Sequence, residues 1–322
     1  MRIRPNDRFL TVLVLAAAVT IGCQAPAPPS SGDAPRQSPR TADGKPDFTG
    51  IWQANNEAYW DLQAHGARAG MVTQPGVYPY EYAQVAAAPV LALGAAAGVP
   101  ASLGVVQGDG EIPYKPETAV VRKANGENWI DRDPELKCYL PGTPRAMYMP
   151  YPFQVVQGDK QMQMAFSFSN ASRTIHFSKV TGPPVDTYMG HSVARWEGDT
   201  LVVDVTDFNG RNWLDRAGNF HSEKLHVTER YTLQTPDVIR YEATIEDPDT
   251  FTGPWTIAMP IYRRMEPNAQ VLEYRCIEYA EEFLFGNLRK SQLVRHWEGE
   301  TMTIDIKRKI PPGDKLYEWY RR

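Results

Sequence analysis

Alternation of polar and apolar side chains with a period of two dominates the sequence from Phe153 onward. In residues 161–168, glutamine, alanine and serine alternate with methionine and phenylalanine. A period of two places successive side chains on opposite faces of a β-strand, so each segment has one apolar face to bury. Turn signals such as QGD, SNAS, EGD, TPD and EGE recur between these segments without helical spacers. This order predicts antiparallel hairpins in a barrel or a sandwich.

One hairpin sequence occurs twice, as ARWEGDTLVVDV at 194–205 and as RHWEGETMTIDI at 295–306. A three-residue loop that ends with glycine in the left-handed conformation predicts that Arg195 lies opposite Asp199. An opposite-charge pair across the strands favours that register. The same register sets Val193 on an apolar row and places His191 on that row as well.

The segment 225–247 predicts a second hairpin with a well-defined register. With the turn centred on TPD, Tyr231 faces Tyr241 in an apolar row. On the other face, Arg230 lies opposite Glu242. A slip of one residue would move every apolar side chain to the wrong face, so the sequence selects this pairing.

Two ionisable residues interrupt these apolar rows. Glu229 shares its row with Tyr231, and His191 shares its row with Val193. A carboxylate inside an apolar core must be paired or become neutral. A desolvated carboxylic acid beside an imidazole can transfer protons near neutral pH, so both residues are candidate catalytic groups. The alternative is structural: Glu229 meets an arginine inside the barrel, and His191 is a satisfied core histidine.

The loop 207–226 is the densest polar segment and adds His221 and Glu223 as candidate proton-transfer groups. The same two residues could instead order the loop where it enters the next strand. Their spacing to His226 is not the i, i+4 histidine pair of zinc proteases, so no metal is predicted. The candidate substrate-binding residues are Arg195, Arg230, Trp213, Tyr231 and Tyr241.

The first 22 residues have the pattern of a signal peptide. The basic segment MRIRPNDR precedes the uncharged segment FLTVLVLAAAVTI, which is too short to span a membrane. The following TIGC resembles a bacterial lipobox and predicts cleavage before Cys23 and lipidation of its thiol; the alternative is a plain secretory signal. Residues 23–45 predict a disordered tether. Gln24, rather than aspartate, indicates the outer membrane, so the expected location is periplasmic or cell-surface, lipid-anchored.

Cys138 and Cys276 remain once Cys23 is assigned to the lipid. In an oxidising compartment they can form one disulfide, although two separately buried thiols are equally compatible with the sequence. The net charge of −4, without basic blocks, argues against a nucleic-acid partner. The sequence contains no phosphate loop, dinucleotide motif, serine-nucleophile motif or CxxC, so no cofactor is predicted and the expected partner is a small molecule.

Residues 46–150 are less regular than the rest and are predicted to form one strand, at Gly50-x-Trp52, and a helical and loop-rich cap. Residues 151–322 are predicted to form the barrel hairpins. Helix-favouring composition within the cap occurs at 55–68, 81–94 and 116–125.

Several segments resemble a family of secreted, β-rich bacterial proteins whose activity is not established. They are GEIPYKPE, DPELKCYLPGTPRAMYMPYPFQ, RWEGDTLVVD, FHSEKLHVTERY and EATIEDP, and the likeness covers most of the chain from Pro46 onward. Gly50-x-Trp52 before a series of hairpins also resembles the start of a lipocalin. That resemblance implies an antiparallel up-and-down barrel of the calycin or lipocalin type with an internal cavity.

The sequence therefore predicts a mainly β, exported lipoprotein with two possible functions. The first is a cofactor-independent enzyme, a hydrolase, lyase or isomerase, acting by general acid and base on a small organic or glycan-derived substrate in the barrel cavity. The second is a non-catalytic binding protein for an apolar or aromatic ligand.

Overall fold

The computed structural model describes residues 37–67, 100–274 and 276, together with strands at 293–297 and 300–304. The predicted signal peptide, the lipidation site Cys23 and the helical segment at 81–94 lie outside the described residues. The described part is mainly β, as the alternating pattern predicts.

Nine strands form a closed barrel in which each strand pairs with the next along the chain. The first strand closes the ring, because it pairs with both the second and the ninth. The strands are β1 (Gly50–Gln53), β2 (Phe153–Gln157), β3 (Gln161–Phe166), β4 (Ser172–His176), β5 (His191–Glu197), β6 (Thr200–Thr206), β7 (His226–Thr235), β8 (Val238–Glu246) and β9 (Trp255–Arg263). A separate hairpin consists of β10 (Leu293–Trp297) and β11 (Glu300–Ile304).

The barrel is mixed, because β4 and β5 are parallel while its other neighbouring strands are antiparallel. Only two residue pairs join β4 and β5: Ile175 with Ser192, and His176 with Val193. Parallel neighbours need a connection that crosses from one end of the strands to the other. Residues 177–190 are that connection, and we call the β4–β5 junction the seam. A purely up-and-down topology is therefore not confirmed.

The predicted register of the 225–247 hairpin is confirmed. Tyr231 pairs with Tyr241 and their side chains are buried, whereas the Arg230–Glu242 pair lies on the outer face. The same register sets Glu229 opposite Ala243 in the buried row. Period-two patterning was sufficient here because a slip would have exposed the whole apolar row.

The predicted register of the 194–205 hairpin is wrong. Arg195 lies opposite Val202, and the strands are joined by a two-residue turn between Glu197 and Thr200. The charge pair assumed across the turn does not form, because Asp199 binds Arg40, with Nη2 and Oδ2 2.6 Å apart. The observed pairing is shifted by three residues from the predicted one. Because three is an odd number, the β5 side chains that were predicted on the inner face lie on the outer face, and the reverse.

Among the described residues of the cap, one helix is longer than a single turn: α1 (Pro116–Glu127), which begins with proline as predicted. A single turn, α2 (Trp129–Arg132), follows it. The helix expected from residue 55 onward is wrong, because the described residues there form turns. In these turns Trp60 is buried and lies edge-on to Trp129, with ring centroids 5.3 Å apart. Tertiary packing of the aromatic rings overrides the helical composition.

The predicted disulfide between Cys138 and Cys276 is confirmed, with Cα atoms 5.6 Å apart. Cys138 follows a short 3₁₀ turn of the cap, Pro134–Lys137, and Cys276 follows the last barrel strand. The bond therefore ties the cap covalently to the chain beyond β9.

Candidate functional site

Glu229 lies inside the barrel, where its carboxylate is fully buried and bound by four donors. Arg173 of β4 holds both carboxylate oxygens, with its Nη1 3.1 Å from Oε1 and its Nη2 on Oε2. The hydroxyls of Tyr231 and Tyr241 donate to Oε1 at 2.9 and 2.8 Å. The arginine partner that the structural alternative required is therefore present.

Electrostatic interactions hold this interior group in place. Burial disfavours the charged guanidinium, but the Glu229 carboxylate outweighs it and raises the pKa of Arg173. Burial, with the same carboxylate adding to it, raises the pKa of Tyr231 and Tyr241 well above the usual range, so both phenols remain hydrogen-bond donors. A carboxylate without solvent access and with all these donors satisfied is a structural anchor rather than a proton carrier.

His191 lies on the outer face of β5, because the register places Ser192 and Ala194 on the buried face. The structure therefore does not bring His191 and Glu229 to one face of the sheet. The Nε2 nitrogen of His191 is shielded from solvent and has no hydrogen-bond partner. Its nearest aromatic neighbour is His176 of β4, with ring centroids 5.7 Å apart and planes inclined by 37°.

An open cavity of about 450 Å³ lies along the seam, between the ends of β4 and β5 and the connection 177–190. Its volume falls in the range of small-molecule sites. Its polar lining residues carry imidazole and hydroxyl groups, together with the buried Arg173, and none of its described lining residues is acidic. The polar residues that line it are Ser172, Arg173, Thr174, His176, Thr181, Thr187, His191 and Ser192.

Asp207 lies at the edge of the cavity, directly after β6. Its Oδ2 atom and the Cδ2 atom of His191 both lie within 4 Å of the position that a Cβ atom would take at Gly182. Asp207 has a φ of 60°, and its carbonyl accepts the Thr187 amide at 2.9 Å. The connection 177–190 therefore covers one edge of the His191 ring and brings a carboxylate close to it.

Arg173 links the cavity to the barrel interior. Arg173 is one of the residues that line the cavity, but its side chain is 1% exposed: its Nη atoms hold Glu229, and its Nε donates to Ser192 Oγ at 2.9 Å. Glu229 thereby fixes the position of Arg173 without entering the cavity. The sequence analysis allowed an arginine partner but did not identify Arg173, since the ion pair joins residues 56 positions apart.

His221 and Glu223, the other candidate proton-transfer residues, do not reach the seam cavity. His221 is 2% exposed, its Nδ1 contacts the Ser222 carbonyl at 2.9 Å, and its ring lies edge-on to Phe208. Burial lowers the pKa of His221, so the ring is neutral at pH 7. Glu223 is exposed. These positions fit the alternative in which the pair orders the loop.

The candidate substrate-binding residues lie in three different environments. Arg195 and Arg230 are on the outer face of the barrel, where both bind the exposed Glu197. Tyr231 and Tyr241 are interior partners of Glu229. Trp213 is buried in the loop 207–226. None of the five lines the seam cavity.

A buried charge cluster joins the cap to the same loop, and the sequence patterns did not reveal it. Arg145 binds Asp133 with two hydrogen bonds of 2.9 and 2.8 Å, and Glu135 binds Arg216 at 2.7 Å. Burial opposes ionisation of Glu135, but Arg216 and Arg145 lower its pKa overall.

Asp215 organises the other side of this contact. It accepts the Leu62 amide at 2.9 Å and the Asn219 amide at 3.1 Å. Burial, with the Asp61 carboxylate adding to it, raises the pKa of Asp215 to about 7.

No group of three or more histidine, cysteine, aspartate or glutamate side chains is arranged to hold a metal ion among the described residues. Within the same residues, no helix is both long and apolar enough to cross a bilayer. No family model matches the sequence, and comparison with curated proteins gives no significant match.

Proposed function

We propose that the protein is an exported enzyme that transfers protons on a small polar substrate in the seam cavity, without a nucleotide cofactor. The observation that carries this proposal is the His191 imidazole, which lines an open cavity beside a second imidazole, that of His176. Imidazole is the side chain best suited to exchange protons near neutral pH. The proton that His191 accepts returns to the product, as in a hydrolase, a lyase or an isomerase.

The surrounding residues have separate roles in this proposal. His191 is the catalytic base, and the carboxylate of Asp207, which lies near its ring, helps to orient it. Arg173 forms a fixed wall, and Glu229 is a positioning residue that acts through Arg173. This assignment moves the chemistry from the barrel interior, where Glu229 was expected to act, to the outer end of the seam.

A non-catalytic binding protein is the second candidate. It is favoured by one observation: no described acid makes a hydrogen bond to His191, whereas enzymes commonly orient a catalytic histidine in that way. The imidazole and hydroxyl groups among the lining residues then support a ligand with polar groups, whereas the sequence predicts an apolar or aromatic ligand.

Export, the lipid anchor at Cys23 and an outer-membrane location are part of the same proposal, supported by the lipobox-like TIGC and the tether. Membership in the family of secreted bacterial proteins is also proposed, on the segments quoted above. A calycin-type relationship is supported by Gly50-x-Trp52, which lies in the strand that closes the barrel. The parallel seam is a departure from that type.

Turnover by the purified protein, measured against a panel of esters, lactones, glycosides and hydroxy acids, tests the enzymatic proposal. We expect His191→Gln to lower kcat/KM about 100-fold or more. His226→Gln is the matched control, because His226 lies on the surface between Asp204 and Glu246. Full activity in His191→Gln would refute the catalytic role, and calorimetric binding without any turnover would favour the second candidate.

Membrane fractionation tests the anchor separately. Cys23→Ser is expected to move the protein from the membrane fraction to the soluble fraction. Retention of the Cys23→Ser variant in the membrane fraction would contradict a lipid anchor at this position.

A further inference from the structure

We infer that the seam cavity recognises an oxyanion, the carboxylate or phosphate group of its substrate, and that His176 and His191 bind this group together. The inference rests on the proposed function and names the substrate class of the same site.

The two imidazoles are the first reason. Neither ring makes a hydrogen bond to another described residue, although their centroids are only 5.7 Å apart. His65, His221 and His226, in contrast, each contact a carbonyl or carboxylate oxygen. Two adjacent rings that lack an acceptor suit an oxygen-bearing ligand that receives a hydrogen bond from each.

The composition of the cavity wall is the second reason. Its described lining holds two imidazoles and five hydroxyl side chains and no acidic residue, and the Asp207 carboxylate lies at its edge. The hydroxyls belong to Ser172, Thr174, Thr181, Thr187 and Ser192, so a bound anion meets donors on several sides. Hydroxyl and imidazole N–H groups donate hydrogen bonds to carboxylate and phosphate oxygens.

The third reason is that Glu229 compensates the charge of Arg173, which determines how strongly the cavity binds an anion. Arg173 is held by Glu229, so its charge is largely compensated and the anion depends on the imidazoles and hydroxyls. Such a site binds an anionic substrate without holding it too tightly for release. Removal of one side chain that donates a hydrogen bond to the charged ligand then weakens binding about tenfold.

The experiment uses the full-length protein and three small probes: inorganic phosphate, acetate and the neutral isostere acetamide. Binding is followed by the nuclear magnetic resonance signals of labelled histidine side chains, at constant ionic strength. We expect phosphate or acetate, but not acetamide, to shift the signals of His176 and His191. His176→Asn should weaken that binding about tenfold. The control His226→Asn, at a surface position between Asp204 and Glu246, should change it less than twofold.

The outcomes separate this inference from the proposed function. Equal responses to acetamide and acetate, or no response at His176 and His191, would overturn oxyanion recognition. Turnover of neutral substrates that depends on His191 would then leave the enzymatic proposal intact. Anion binding that depends on His176, with no turnover of any panel compound, would support oxyanion recognition and overturn the enzymatic proposal.

Discussion

Removal of the Glu229 charge is the most decisive perturbation of the barrel interior. In Glu229→Gln the amide can keep one oxygen for Tyr231 and Tyr241, but its NH₂ group then faces a donor of Arg173. The variant therefore leaves a buried guanidinium without its counter-ion. Breaking a buried ion pair from one side costs about 3–5 kcal/mol, a large share of the roughly 5–15 kcal/mol that stabilises a typical domain.

Equilibrium unfolding in urea, followed by tryptophan fluorescence with the disulfide intact, measures this loss. Glu242→Gln is the matched control, because Glu242 lies in the partner strand β8 and binds Arg240 on the outer face. The control should lose at most about 1 kcal/mol. Equal losses in the two variants would refute the placement of Glu229 in the interior.

A double substitution tests the coupling within the pair. Arg173→Met combined with Glu229→Gln removes both charges and should destabilise the protein less than Glu229→Gln alone. A double variant with the summed loss of the two single variants would show that the two side chains do not interact.

Three further predictions concern other parts of the fold. Replacing Cys138 and Cys276 with serine should lower the free energy of unfolding by about 2–5 kcal/mol in urea, since the bond closes a loop with a sequence separation of 138; an unchanged midpoint would contradict this. The pKa of Asp215, about 7 in the folded protein against an ordinary value of 3.8, means that the folded state holds a proton that the unfolded state releases. Stability from this group is therefore complete below about pH 4 and is lost as pH rises towards 7, and Asp215→Asn should flatten the unfolding profile in that window. Gly190→Ala should cost about 1–3 kcal/mol in thermal unfolding, because a Cβ atom would lie 2.7 Å from Val205 at a φ of 70°; an unchanged Tm would show that this contact can relax.

The hairpin 225–247 shows what the sequence can predict. Its apolar row and its outer charge pair both favour the same pairing, so register follows from local patterning. The disulfide was one of two open alternatives, and the folded chain selects it. Helix α1 was predictable because proline opens it, although the turn signal Asn125-Gly126 lies before its observed end at Glu127.

The site was less predictable because it depends on long-range pairing. The alternation along β4 and β5 does not distinguish parallel from antiparallel neighbours, so the seam and its cavity were not foreseen. The predicted register of the 194–205 hairpin was wrong by three residues. For this reason His191 was predicted on the inner face, whereas it lies on the outer face. Arg173 carried no signal of its role as the partner of Glu229.

Amide hydrogen exchange, measured by mass spectrometry with and without a substrate found in the panel, tests most directly where the protein acts. Ligand binding in the seam cavity is expected to slow exchange in residues 172–192 and around Asp207, while peptides from β7 and β8 keep their rates. Slower exchange confined to β7 and β8, with residues 172–192 unchanged, would return the functional site to the barrel interior and contradict the account.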